Sequence, residues 1–426
     1  MMRMTKGSNS AEDEHTKHHE QQQQQQQKQQ QRFVKALYAY EEERPGCLNF
    51  APGQLFEVLN VAEGWLYCRA DGLTGWIPAA FVQDTQETEW QDDEYYDQYA
   101  RVGIHHEMLS DTARNAAYSD GIQLAADAVI KGGVVMDIGC GSGLLSLLSA
   151  RTGARKVIAV EASDFYEAAE KVIAANGYSE CIDVLHSRVE DVEDVEQVDC
   201  IVSEWMGTML IFEFMVDSVL AARDRFLRPD GLMLPSYSRL LLTPVNAAHM
   251  FDDHVSFWKD KCGFDMSPLI AADKESKFSR PIHDWKMNPE QQLAEPQSIF
   301  EADMHTVTAE ELEEIHTSVS FTMTRDDTCH GFGSWFNVEF WQSRHNRDAP
   351  VVLSTSPTAP YTHWKHTLLM LDEPLDVCSG DTMAVDVALL RNPLHRRHLR
   401  IHITAHLHRH ADNSSHKVSK MFRLWR

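Results

Sequence analysis

Long apolar runs are missing from this sequence. No stretch of 18 or more apolar residues occurs in its 426 positions, so no helix able to cross a bilayer is expected. The opening MMRMTKGSNSAEDEHTKHHE has no apolar core, which argues against a secretory signal. Cysteine is sparse: Cys47, Cys68, Cys140, Cys181, Cys200, Cys262, Cys329 and Cys378 are scattered, and no two form a CxxC pair. That spacing excludes a recognisable disulfide framework or zinc pattern and fits a reducing cytosolic or nuclear compartment. Basic charge is in deficit, with 39 Lys and Arg against 64 Asp and Glu for a net charge of −25. Nonspecific nucleic-acid binding is therefore disfavoured, while a basic protein partner is electrostatically welcome. No internal repeat stands out.

What is present divides the chain. Residues 1–31 are polar and end in a glutamine tract, a composition that cannot bury enough apolar surface to offset chain entropy, so disorder is expected. Residues 32–84 carry short β-like runs (FVKALYAY, QLFEVLNV, GWLYCRA, GWIPAAFV) between Gly, Pro and Asp, as in a small all-β barrel. An acidic linker, 85–94, follows. From 95 to 235, strands VVMDIG, KVIAVEA, CIDVLHS and VDCIVSEW alternate with helical segments, which predicts a parallel α/β sheet. Beyond Pro235 β-type alternation dominates, so 236–426 reads as a second, β-rich domain.

VVMDIGCGSG sets Gly139, Gly141 and Gly143 at alternate positions between an apolar strand and a helix. Glycines there let backbone approach a ligand, and the helix N-terminus favours a carboxylate or phosphate. A dinucleotide fingerprint would need glycine where Leu144 stands, which removes a nicotinamide dehydrogenase from consideration. The G-x-G-x-G form behind Asp137 instead resembles motif I of the class I, Rossmann-like methyltransferases. That likeness implies S-adenosyl-L-methionine as cofactor. It places Glu161, at the end of the next strand, on the ribose hydroxyls, and Val189 and Glu190 around the adenine.

SEWMGTMLIFEFM puts Glu204 and Glu213 nine residues apart at the carboxyl end of a strand and in the loop beyond, where α/β sheets bind ligands. A guanidinium is planar, forks its donors and stays charged. Two carboxylates can grip that fork and draw its charge toward them, leaving the remaining terminal nitrogen more nucleophilic. The segment resembles the double-Glu loop of the protein arginine methyltransferases, a likeness that runs from about Tyr95 to the C-terminus. YYDQYA and GIHHEMLSDTAR resemble that family's N-terminal helices, which implies that Tyr95 lines the substrate pocket, that Tyr99 and His105 contact the cofactor, and that Arg114 pairs with its carboxylate. YTHWKHT resembles the THW loop, with His363 near the substrate, Trp364 as a wall, and Asp111 pairing with His363 as a proton exit. Met108 and Met215 match positions that border the methyl-acceptor space, implying monomethyl and asymmetric dimethyl arginine as products, the type I outcome. The family likeness also implies a C-terminal β-barrel domain bearing a helical dimerisation arm near 246–297, hence a homodimer, acting in nucleus and cytoplasm on basic proteins such as histones or Gly/Arg-rich chains.

ALYAY, the acidic EEERPG loop and GWIPAAF resemble a Src-homology-3 (SH3) domain, implying that Tyr38, Tyr40, Trp65, Pro78 and Phe81 form a groove for proline-rich partners, flanked by Glu41, Glu42 and Glu43. The common Asp of ALYDY is Ala39 here, and the usual groove Tyr is Phe81. His402, His406, His408 and His410 alternate along one strand and are read as a solvated face rather than a metal site. Besides an active enzyme, the sequence leaves open a weakly active adaptor that works through protein recruitment.

Overall fold

The computed structural model describes residues 32–40, 44, 46–52, 54–62, 64–70, 73–84, 92, 95–392 and 395–424. The glutamine-rich tail, Glu41, Glu42 and Glu43, and all of the acidic linker apart from Asp92 lie outside the described residues. Two compact units divide the chain, one ending at Asp93 and the other beginning at Glu94.

In the first unit, strands β1 (Arg32–Ala36), β2 (Leu55–Ala62), β3 (Trp65–Ala70), β4 (Leu73–Pro78) and β5 (Val82–Asp84) pair antiparallel in the order β4-β3-β2-β1-β5. Alternation along β3 turns Leu66 and Cys68 inward. They join Val34, Phe50, Phe56 and Ile77 in a core of the size such a barrel can enclose.

The second unit begins with a helical turn at 95–99, α1 (Val102–Ser110) and α2 (Thr112–Leu124). Five parallel strands follow: β6 (Val134–Ile138), β7 (Lys156–Glu161), β8 (Ile182–His186), β9 (Val198–Ser203) and β10 (Leu227–Leu234), ordered β10-β9-β6-β7-β8. All five residues of β6 are buried, as expected of a strand covered on both faces. Helices α3 (Leu144–Thr152), α4 (Tyr166–Ala175) and α5 (Val216–Phe226) connect the strands. The order reverses at β6, whose neighbours are β7 and β9, so the loops after β6 and β9 open on the same crevice.

Beyond β10 the chain builds antiparallel sheets. One orders Ile282–Trp285, His366–Val377, Asp327–Phe340, Tyr237–Val245 and Gln297–Asp303, with Val351–Ser354 also on Asp327–Phe340. The other orders Glu314–Thr322, Thr382–Arg391, Leu399–His408 and Ser415–Leu424. These sheets share a continuous apolar core with the parallel sheet, so 95–235 and 236–426 act as one body. Among the histidines read as one strand face, His402, His406 and His408 lie on Leu399–His408, but His410 falls beyond its end.

The expected arm holds α6 (Ala248–His254) and α7 (Ile270–Phe278), tied by His254 and Trp258 to Asp273 at 2.9 and 3.1 Å. Phe257, Phe264 and Leu269 are exposed there, whereas Trp285 is buried against the barrel.

Gly121 lets α2 press on the barrel, because a Cβ there would stand 2.6 Å from the Phe340 ring. Gly103 in α1 faces open space. A helical Gly→Ala change ordinarily stabilises by about 1 kcal/mol, but overpacking costs about 1–3 kcal/mol. Gly103→Ala should therefore raise, and Gly121→Ala lower, the midpoint of urea unfolding; shifts of the same sign would contradict this packing.

Candidate active site

The turn after β6 is shaped by backbone that side chains resist. Gly139 and Gly141 have φ of 67° and 52°. A Cβ at Gly139 would collide with the Met215 methyl, and one at Gly141 would stand 3.0 Å from His105. The turn, with Cys140 and Ser142 between its glycines, borders a cavity of about 480 Å³ over the crevice. Glu161, ending β7, accepts the Gly141 N–H at 2.8 Å and both the N–H and hydroxyl of Ser163 at 2.9 and 2.7 Å. Glu190 takes the Ser218 hydroxyl at 2.6 Å on one oxygen, while its other oxygen is buried with no hydrogen-bond donor. His105 bonds to the Tyr99 carbonyl at 2.8 Å and stacks on Phe165; burial holds its pKa below the usual imidazole range.

The two acidic residues of the SEWMG segment reach the same cavity from β9. Ser203 bonds through its hydroxyl to the Ile138 carbonyl, and its own carbonyl accepts the Tyr118 hydroxyl, so the strand end that carries Glu204 is pinned from two sides. Glu204 accepts Nε and Nη2 of Arg114 at 3.3 and 3.2 Å. Burial pushes the Glu204 carboxyl above its ordinary range, with Arg114 and His363 pulling the other way. Glu213 accepts the Tyr99 hydroxyl at 2.9 Å and has a left-handed backbone, φ 74°, with Phe214 beside it at 53°. Such conformations cost non-glycine residues roughly 1–2 kcal/mol each and persist where surroundings over-determine them.

The THW loop closes the far side. His363 shares a 2.8 Å side-chain bond with Asp111, whose Oδ2 also takes the His363 N–H at 2.9 Å. Trp364 donates its indole N–H to the Met206 carbonyl at 2.7 Å.

Of the expected residues, Tyr95, Tyr99, His105, Met108 and Arg114 line the cavity from the N-terminal helices. Gly139, Gly141, Glu161, Val189, Glu190, Glu204, Glu213, Met215, His363 and Trp364 line it from the sheet loops and barrel. Three stand outside the lining. Asp137 is fully buried in β6, bonded to Ser146 at 2.6 Å, with its carboxyl pushed up to about 7 by burial. It braces the turn against α3 rather than facing a ligand. Gly143 begins α3 and packs against Ile173. Asp111 lies behind His363 and caps α2 through the Arg114 N–H. Arg114, expected on a cofactor carboxylate, is held by Glu204.

Sequence profiles and relatives bear on the fold and the family. Residues 237–410 match a profile described as the arginine methyltransferase oligomerization subdomain, 120–235 one for ribosomal protein L11 methyltransferase, and 35–79 one for the SH3 domain. Human protein arginine N-methyltransferase 2 is 38% identical over 89% of this chain and 89% of its own length. The chain belongs to the protein arginine N-methyltransferase family. A probable protein arginine N-methyltransferase 6 of Arabidopsis thaliana is 36% identical over 72% of this chain and 78% of its own. Among solved structures of the family, Arabidopsis protein arginine methyltransferase 10 superposes with TM-score 0.70 at 30% identity, covering 78% of this chain and 100% of that one. The Trypanosoma brucei PRMT1 enzyme–prozyme complex with AdoHcy gives 0.69 at 29% identity, covering 77% and 99%. Arginine methyl transfer on an SH3, methyltransferase and barrel framework is thus the family inheritance of this chain.

Sequence reasoning missed Ser163, Ser218 and Arg397. The two serines are too common to signal anything. Arg397 belongs to the basic run HRRHLR, conspicuous in so acidic a chain. In the SH3 unit, Tyr38, Trp65 and Phe81 keep exposed surface, but Tyr40 and Pro78 are buried, Tyr40 because its ring stacks on Phe50 in the core. The Arg44 guanidinium covers Trp65 at 4.7 Å.

Burial raises the Asp111 pKa, but its bonds from His363 and the Arg114 N–H outweigh burial and hold it below the usual carboxylate value. Stability from this group is present above the unfolded pKa, about 4, and is lost as pH falls through the lower folded value. Asp111→Asn should lower unfolding free energy by about 1–3 kcal/mol at pH 7, with the gap to parent narrowing below pH 4. Urea titrations across pH 3–7 read this; a gap independent of pH would refute the assigned shift.

Proposed function

We propose that this chain binds S-adenosyl-L-methionine in the 480 Å³ cavity and methylates terminal guanidino nitrogens of arginine in basic proteins such as histones or Gly/Arg-rich chains. The observation that carries the reading is the convergence of Glu204 and Glu213 beside the glycine turn. The donor set fits the cofactor: Glu161 offers carboxylate oxygens to a ribose diol, the Glu190 oxygen that takes no hydrogen bond, with Arg188 Nε 3.8 Å away, suits an adenine amino group, and Arg114 suits a carboxylate. When bound, the cofactor supplies an electrophilic methyl on a sulfonium.

The chain's residues do the rest. Glu204 accepts two N–H groups of a guanidinium, that of Arg114, on one carboxylate oxygen, which supports a role as guanidinium acceptor toward substrate. Gripping the substrate fork between Glu204 and Glu213 fixes its orientation and draws its positive charge to one side. The nitrogen facing the methyl donor then carries more lone-pair density. With Nδ1–H given to Asp111, His363 keeps Nε2 as a base for the departing proton. Met108 and Met215 border the acceptor space, which supports monomethyl and asymmetric dimethyl products. The exposed arm aromatics and the oligomerization subdomain support a homodimer. Eight scattered cysteines, none in a disulfide among the described residues, support residence in the reducing nucleus and cytoplasm.

The SH3 unit recruits proline-rich partners through Tyr38, Trp65 and Phe81. Trp65→Ala should abolish capture of proline-rich peptides by the full chain while a short arginine peptide is methylated at the parental rate; undiminished capture would remove Trp65 from the groove.

Glu204→Gln and Glu213→Gln keep shape but turn an acceptor into an amide that presents N–H to N–H. Losing a charge-assisted hydrogen bond costs about 1.5–3 kcal/mol, and losing preorganised charge at a transition state costs on the order of a hundredfold in rate. Each variant should fold, bind cofactor nearly normally and lose most single-turnover methyl transfer. Parental rates in both would overturn the proposed chemistry.

A further inference from the structure

Glu213 is held at both ends of its peptide by one residue from the far end of the chain. Its N–H donates to the Arg397 carbonyl at 3.1 Å, and its carbonyl accepts Nη1 of Arg397 at 2.9 Å. The same guanidinium lies 3.9 Å over the Tyr95 ring and borders the cavity. Arg397 thus joins the acidic loop, the N-terminal helical turn and the barrel at one point.

The loop that carries Arg397 is anchored independently of it. Arg391 bonds to the Arg396 carbonyl at 2.6 Å, to Asp217 at 2.6 Å and to Glu313 at 3.1 Å, and lies 4.0 Å over the Phe214 ring. Arg396 adds a 2.7 Å bond to Glu313. His398 and Asn392 close the loop on itself at 2.9 Å. Removing the Arg397 side chain therefore leaves its backbone in place while freeing the carbonyl of a left-handed Glu213 from its partner.

We propose that Arg397 is a positioning residue for methyl transfer: it fixes the peptide of Glu213 so that the carboxylate stays in register with Glu204. This rests on the reading that Glu213 grips the substrate guanidinium. Arg397 touches no reacting atom in this scheme, so its effect passes through Glu213. Lysine in its place keeps the charge over Tyr95 but cannot present a planar N–H to the Glu213 carbonyl while stacked.

The test is a double-mutant cycle in the full-length protein on Arg397→Ala and Glu213→Gln. It reads single-turnover rate, peptide KM, cofactor affinity by calorimetry and thermal melting. Arg397→Ala should bind S-adenosylhomocysteine within about threefold of parent, yet transfer methyl roughly 10–100-fold more slowly, chiefly in kcat. Arg397→Lys should recover only a minor part of that loss. The double mutant should be no slower than Glu213→Gln alone, because the two act as one unit. If Glu213→Gln is slow while Arg397→Ala and Arg397→Lys match parent, the inference fails and the Glu213 reading stands. If the losses multiply, Arg397 acts elsewhere and the inference fails. A parental rate in Glu213→Gln would instead overturn the underlying reading. Should Arg397→Ala melt early, Arg397→Gln replaces it in the same cycle.

Discussion

Two carboxylates must share one pocket lined in part by Tyr95, Met108, Met215 and Trp364. Moving a carboxylate out of water costs several kcal/mol, and a like charge beside it adds to that cost. The effect is visible at Glu204, whose pKa is raised by burial and, to a lesser degree, by Glu213. Donors offset it: the Arg114 fork on Glu204 and the Tyr99 hydroxyl on Glu213. Both donors come from the N-terminal helices, so those helices must fold over the sheet for the acidic pair to exist at all. Under the proposed function a substrate guanidinium would meet the same two acceptors, and its positive charge would favour the ionised form of Glu204.

Two other buried carboxyls show how differently one functional group can be used. Asp111 receives three bonds, capping α2 with one oxygen and holding the His363 ring and backbone with the other. Well supplied with donors, it titrates low. Asp137 has the Ser146 hydroxyl on one oxygen and nothing on the other. Poorly supplied, it is pushed up to about 7. For a raised carboxyl the sign is opposite: native structure is favoured by low pH and loses that contribution as pH climbs from the unfolded value through the folded one. A glycine turn braced by such a group gains shape at the expense of stability near neutrality.

The local motifs of the candidate site were legible in the sequence because strand, turn and helix are contiguous there. The glycine turn after β6 and the pair Glu204 and Glu213 needed no long-range information. Asp111 and His363 are 252 residues apart, and their pairing came from family resemblance rather than from any local pattern. Arg397 and Glu213 are 184 apart, and the contact runs partly through backbone, which leaves no side-chain signature. β10 escaped notice because LRPDGLML interrupts its apolar pattern with Pro229 and Gly231. The register against β9 shifts there, as an edge strand permits. In the SH3 unit the groove motif was readable, but which of its aromatics stay exposed depended on how Tyr40 packs on Phe50.

The site draws on three parts of the second unit, and they are not equally secure. The sheet loops and the barrel rest on a continuous apolar core. Of the nine residues of α1, His105 alone is buried, and Val102 and Leu109 are 72% and 44% exposed. An element that buries so little apolar surface gains little from the hydrophobic effect. What holds it is directed at the site itself: the His105 bond to the Tyr99 carbonyl, the ring stack on Phe165, and the contact with the side-chain-free face of Gly141. Segments with few buried contacts open at lower free energy than the core. The helix next to Tyr99 and Arg114 is therefore weakly tied to the core and leans on residues that line the pocket, so a ligand that fills the pocket would also stabilise this helix.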